Sequence, residues 1–183
     1  MGDLQEMFDA VGRGDAGAMD RLFSFLYRDL RQLAHARLRH SAPLTLLDTT
    51  ALVHESYLRL CTAANLQIPD RGRFLGYAAR VMRSIIVDLI RQRESERRGG
   101  DVVYVTLDPD IAPAGRMEER DVIRVSEALD ALLGVDERLV HVVEMKFFAG
   151  LNEEEIAQAL GITDRTVRRA WKKAKLLLFE ALR

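Results

Sequence analysis

Through the first hundred residues of this chain, apolar side chains return at three- and four-residue intervals, the spacing that lines one face of an α-helix. Leu22, Leu26, Leu30, Leu33 and Ala34 mark one such stripe, opened by Asp15 or Asp20. Val53, Tyr57 and Leu60 mark a second, after the breaker Pro43, and a polar loop from Asn65 through Gly72 contains Pro69. The longest pattern follows, with Phe74, Ala78, Val81, Met82, Ile85, Ile86, Leu89 and Ile90. It runs into a charged end at Glu94 to Arg98, and Gly99-Gly100 supplies a helix stop.

Residues 101–121 change character. Asp108, Pro109, Asp110, Pro113 and Gly115 break any regular pattern, and acidic residues outnumber Arg116 and Arg120. The stretch reads as an extended acidic linker. Val102-Val103-Tyr104-Val105 could make a short strand, but no partner strand is nearby.

Helical spacing resumes near Val122. Val122, Val125, Leu129, Leu132 and Leu133 form one stripe, and Leu139, Val142, Val143 and Phe147 another. Two short helices close the chain, Glu153–Leu160 and Asp164–Lys175, around a turn at Gly161-Ile162. Asn152 can cap the first, with Glu155 placed to answer it, and Thr163 can cap the second. The expectation is an all-α protein of two helical bundles, 1–99 and 122–183, joined by a tether at 100–121.

The last two helices carry the clearest chemistry. Ile156, Ala157 and Leu160 face inward from one, and Val167, Ala170, Trp171 and Ala174 from the other, which is the helix-turn-helix pattern. The second of them then exposes Arg165, Thr166, Arg168, Arg169, Lys172, Lys173 and Lys175 against Asp164 alone. The whole chain has a net charge of −1, so this basic surface is local. Neutralising DNA phosphates needs such a concentration, and arginines on the leading turns can reach guanine edges in the major groove. A second basic region lies on the long helix, at Arg80, Arg83, Arg91, Arg93, Arg97 and Arg98, with Phe74 and Tyr77 upstream near Arg71 and Arg73. Basic side chains among aromatics suit a single strand whose bases stack. The bland alternative is a core aromatic beside a solvated charged helix.

Composition narrows the class further. A chain 48% apolar but only 7% aromatic fits packed helices and is too apolar for disorder. The lone Cys61 excludes an internal disulfide and suits a reducing cytoplasm. The acidic start, Met1 to Glu6, is unlike a secretory signal, and Glu6 stands where a myristoylation site wants Ser or Thr. No apolar run could span a bilayer, so the expectation is a soluble, cytoplasmic protein without a membrane partner. His54-Glu55 lacks the second histidine of a zinc-protease motif. No spacing among the histidines suggests metal ligands, and no phosphate loop or nucleophile elbow is visible. Neither a cofactor nor an enzyme activity is expected.

Two groups of segments together resemble a known family. Thr50-Ala51-Leu52-Val53-His54-Glu55-Ser56-Tyr57-Leu58-Arg59-Leu60, Phe74-Leu75-Gly76-Tyr77-Ala78-Ala79-Arg80 and Asp88-Leu89-Ile90-Arg91 are similar to region 2 of the extracytoplasmic-function (ECF) sigma factors. Leu151 to Ala157, Thr166-Val167-Arg168 and Lys172 to Lys175 are similar to their region 4. The resemblance implies that residues 1–99 bind the clamp of core RNA polymerase and open the −10 promoter element, with Tyr77 and Arg80 on the single strand. It implies that 122–183 read the −35 duplex, with Arg165, Thr166, Arg168 and Arg169 at the bases and Lys172 and Lys173 on phosphate.

One departure stands out. Where the family commonly has an adjacent acidic pair at the polymerase-facing helix, this chain has Thr50 and Ala51, with only Asp48 nearby. It resembles the subgroup linked to Ser/Thr protein kinases, which implies phosphorylation of Thr49 or Thr50. Alternatively Thr49 merely caps the helix. Control by an anti-sigma factor is a further expectation. The competing function is a helix-turn-helix activator or repressor that works without joining polymerase, and a more distant one is an adaptor that binds polymerase but no DNA.

Overall fold

In the computed structural model, which describes residues 2–40, 47–62, 68–99, 119–148 and 150–183, every regular element is helical. The described elements are α1 (Gly2–Arg13), α2 (Ala18–His40), α3 (Thr49–Thr62), α4 (Arg71–Gly99), α5 (Glu119–Val135), α6 (Glu137–Val143), a π turn (Glu144–Phe148), α7 (Glu153–Leu160) and α8 (Asp164–Leu182). The all-α expectation is met. The proposed strand at 102–105 and the linker from 100 to 118 lie outside the described residues. Glu119 and Asp121 belong to the first turn of α5, not to the tether, and acidic residues are favoured there by the helix dipole.

The periodicity of α2 translates directly into burial: Leu22, Leu26, Leu30, Leu33 and Ala34 are all in the core. Helix α1, which the apolar stripes had not singled out, contributes Phe8, whose ring lies 6.2 Å from that of Phe74. Phe74 is therefore a core residue and not a stacking platform. Helix α3 buries Leu52, Val53 and Leu60, while Tyr57 meets Phe23 edge-on at 4.8 Å and donates a hydrogen bond to Asp20.

The start of α4 is set by Asp70, whose carboxylate accepts from the Arg73 backbone N–H at 2.8 Å. Gly72 thus lies in the first turn of the helix rather than in the preceding loop. From Phe74 to Ile90 buried positions occupy almost the full circumference of α4, including Leu75, Ala79, Arg83 and Val87 outside the expected stripe. The cause is its position: α2 and α3 pack on one side, and α5, the π turn and α7 on the other. One continuous apolar core results, running from Leu22 and Ile85 through Val143 and Ile156 to Val167.

Two expectations change at this junction. Phe147 is exposed, while Glu144 and Met145 are buried. A π turn holds more residues per turn than an α-helix, so it rotates the following side chains off the stripe that Leu139, Val142 and Val143 define. Arg83, expected among solvent-facing basic groups, is also buried. Its guanidinium donates to Glu144 at 2.9 Å, to Ser126 and to Asp130 at 3.1 Å.

Candidate nucleic-acid interface

The α7–α8 pair is locally well specified. Asn152 and Glu155 form a reciprocal capping box, with both hydrogen bonds at 2.9 Å. Gly161 takes a left-handed conformation, φ +64°, that a side chain would strain. Its N–H and that of Ile162 then satisfy the last carbonyls of α7. Thr163 caps α8 by accepting from the Thr166 backbone N–H at 3.3 Å. Ile156, Val167, Ala170 and Ala174 lock the two helices together from inside.

This packing sorts the basic residues of α8. Arg165, Arg169 and Lys172 share one exposed stripe at intervals of four and three. Arg168 is also exposed but leans toward Glu153, 3.7 Å away. A hydrogen bond from Lys146 to Glu153, at 2.7 Å, holds that carboxyl below its ordinary value. Lys173 lies 3.8 Å from Asp136, the cap of α6, and Thr166 is half-buried with its hydroxyl 3.0 Å from that of Thr163. Lys175 sits over the Trp171 ring at 5.5 Å. Beyond it the outward face turns apolar, with Leu176 and Phe179 exposed, a feature the charge pattern did not signal.

Tyr77 and Arg80 lie elsewhere, on α4, and both are half-buried. With Ile68, Arg73, Gly76, His141, Met145 and Leu160 they line a cleft of about 280 Å³ between α4 and the second group of helices. The Arg80 Nη2 atom is sealed from solvent and has no hydrogen-bond partner among the described residues. Burial, reinforced by the charge of Arg80, pushes the His141 imidazole below its ordinary pKa, against the pull of Glu137 at 3.5 Å.

The third candidate region is the start of α3. Asp48, not Thr49, caps this helix, because its carboxylate accepts from the Ala51 N–H at 2.7 Å and its carbonyl from Leu52. The alternative that Thr49 serves as the cap is thereby corrected. Thr49 and Thr50 occupy the first turn, which contains no acidic residue, and Thr50 is exposed.

No described helix is long and apolar enough to cross a membrane. Among the described residues no three His, Cys, Asp or Glu side chains cluster as metal ligands would. A capped helix-turn-helix with an outward basic stripe is the mark of a DNA-binding transcription protein. The family model for ECF sigma factors matches residues 1–183, and the chain belongs to that family. It is accordingly an alternative sigma factor, a partner of core RNA polymerase and promoter DNA in promoter-specific initiation. No curated protein matches the sequence.

Proposed function

We propose a division of labour within this sigma factor. Helix α8 reads the −35 element in duplex form, α4 engages the opened −10 strand through Tyr77 and Arg80, and the start of α3 meets the polymerase clamp. The observation that carries this reading is the stripe of Arg165, Arg169 and Lys172, exposed on a helix whose opposite face is packed on α7. Arg165 and Arg169 occupy the leading turns, where base edges come within reach. Lys172, one turn on, suits a phosphate.

Transcription by purified core polymerase from a promoter library tests it. The protein should direct initiation at a defined subset of promoters, and an Arg165→Ala, Arg169→Ala variant should lose that selection. A conventional activator or repressor would bind duplex DNA yet start no transcript with core enzyme alone.

A regulatory reading is supported at α3. With Asp48 committed to the cap, both threonine hydroxyls are spared that role. Phosphate on Thr50 or Thr49 would add roughly −1.5 to −2 charges where the family commonly carries acids, at a helix end that favours them. A Ser/Thr kinase is then the controlling partner, in place of or beside an anti-sigma factor.

A further inference from the structure

We infer that Glu153 is a positioning residue of the duplex interface: it holds Arg168 away from the DNA backbone, so that Arg165 and Arg169 carry a larger share of the affinity. The inference rests on the reading of α8 as the helix that meets the −35 duplex.

Three acids open α7, and they are not equivalent. Glu155 is committed to the capping box, Glu154 is exposed, and Glu153 is half-buried. The two carboxylate oxygens of Glu153 serve different cations. Its Oε1 accepts from Lys146 Nζ of the π turn at 2.7 Å, and its Oε2 lies 3.7 Å from Arg168 Nη1 on α8. Lys146 is steadied in turn by Trp171, whose ring centre is 5.8 Å from the ammonium. The carboxylate is thus fixed from the π turn before it meets Arg168, and the Lys146 hydrogen bond keeps it ionised at neutral pH.

Positions around α8 show what this pairing withholds. Arg165, Arg169 and Lys172 form the central stripe, and none of them pairs with an acid among the described residues. Arg168 lies on one side of Arg165 and Lys173 on the other, by about 60° and 80° at 100° per residue. Both flanking cations are held by acids of neighbouring segments. Asp136 gives one oxygen to the cap of α6 and the other, at 3.8 Å, to Lys173. A broad basic face is thereby narrowed to one stripe.

The narrowing matters because a phosphate contact strengthens every sequence alike and carries no base information. An exposed ion pair holds its partners only part of the time. Apparent affinity scales with the competent fraction, so freeing Arg168 should tighten duplex binding roughly two- to sixfold. Salt screens the pair and the phosphate contact together, so the gain is largest at low ionic strength.

The test uses the full chain with two fluorescein-labelled duplexes, one a selected promoter and one of random sequence, read by anisotropy across a salt series. Glu153→Gln removes the charge, and its amide oxygen can still accept from Lys146. The expected result is tighter binding of both duplexes, a salt slope steeper by about 1, and no gain when Arg168→Ala is also present. A gain that persists with Arg168→Ala would mean that Glu153 merely repels DNA, and would overturn the inference. So would no gain at all, or one confined to the promoter duplex. Lys146→Met leaves the Glu153–Arg168 pair in place and should not tighten binding; a gain matching that of Glu153→Gln would assign the effect to a loosened π turn. An Arg165→Ala, Arg169→Ala chain separates the two readings. If it loses promoter binding while Glu153→Gln is silent, only the role of Glu153 fails; if it binds fully, the reading of α8 fails and the inference with it.

Discussion

Glu144 accepts a hydrogen bond at 2.5 Å from Arg37, a residue 107 positions earlier in the chain, with both side chains almost wholly buried. Burial pulls the Arg37 guanidinium down to about 10, against the opposing attraction of Glu144. The group stays charged at neutral pH, and the carboxylate is what makes its burial tolerable. Glu144→Leu would leave Arg37 and Arg83 as buried cations without their shared acceptor. Removing one partner of a buried pair costs about 3–5 kcal/mol. For a chain of this size that is a fall in Tm of roughly 6–20 °C. Calorimetry should show it, and a combined Arg37→Met, Arg83→Met, Glu144→Leu variant should recover most of the loss. A Glu144→Leu chain as stable as its parent would show that the junction contributes little.

On α8, the substitutions should sort by stripe. Arg165→Ala or Arg169→Ala should weaken promoter duplex binding by about 1–3 kcal/mol and relax selectivity at one base pair. Lys172→Ala should weaken all sequences alike and reduce the salt slope by about 1. Arg168→Ala should do less, because its guanidinium leans toward Glu153. Fluorescence anisotropy across a salt series, on matched and mismatched duplexes, distinguishes the three patterns. Intact binding by both Arg165→Ala and Arg169→Ala would remove α8 from the interface.

His141 gives the packed form a pH dependence. Arg80 and Arg73 face it from α4, Glu137 from its own helix and Glu144 from the π turn, and burial dominates to hold its pKa below the ordinary 6.5. The packed chain therefore prefers the neutral ring, and protons bind more readily once it opens or unfolds. This contribution to stability is complete above about pH 6.5 and is lost as the pH falls below that value. Melting curves between pH 7.5 and pH 5.5 should fall more steeply for the parent chain than for His141→Gln. Parallel slopes would place the pH response in other groups.

At α3, core-polymerase affinity should be weakest for the unmodified chain and for Thr49→Ala, Thr50→Ala, and strongest for kinase-treated protein. A Thr50→Glu substitution, with one charge and two oxygens, should fall between them. Equal, tight binding by all four forms would leave the two threonines as ordinary first-turn residues.

Much of this molecule was legible in its sequence. The α2 stripe, the stop at the end of α4 and the Asn152, Gly161 and Thr163 signals all depend on local spacing and local hydrogen bonds, and all appear where expected. The basic stripe of α8 was readable for the same reason. What local pattern could not carry was contact between distant segments. Arg83 looked like one more surface arginine because its partner, Glu144, comes 61 residues later. Gly72 looked like loop because Asp70, the cap of α4, was read as part of that loop, and the close approach of Ala159 to Gly72 is invisible along the chain. Phe147 fitted a 3.6-residue period that the π turn interrupts. One signal was available: Gly72 and Gly76, four apart in a helical stretch, mark a face that Ala159 and the Met145 side chain approach closely.

The distance in sequence between Arg83 and Glu144 also has a consequence for the newly made chain. Synthesis is vectorial, and at about 5–20 residues per second roughly 3–12 s separate the two residues. Throughout that interval Arg83 lacks its partner, and α7, which also packs on α4, is made later still. Each molecule thus carries Arg83 and the start of α4 bare at first and completes the packing around them only late in translation. Polymerase that meets a nascent chain encounters a different surface from polymerase that meets a finished one.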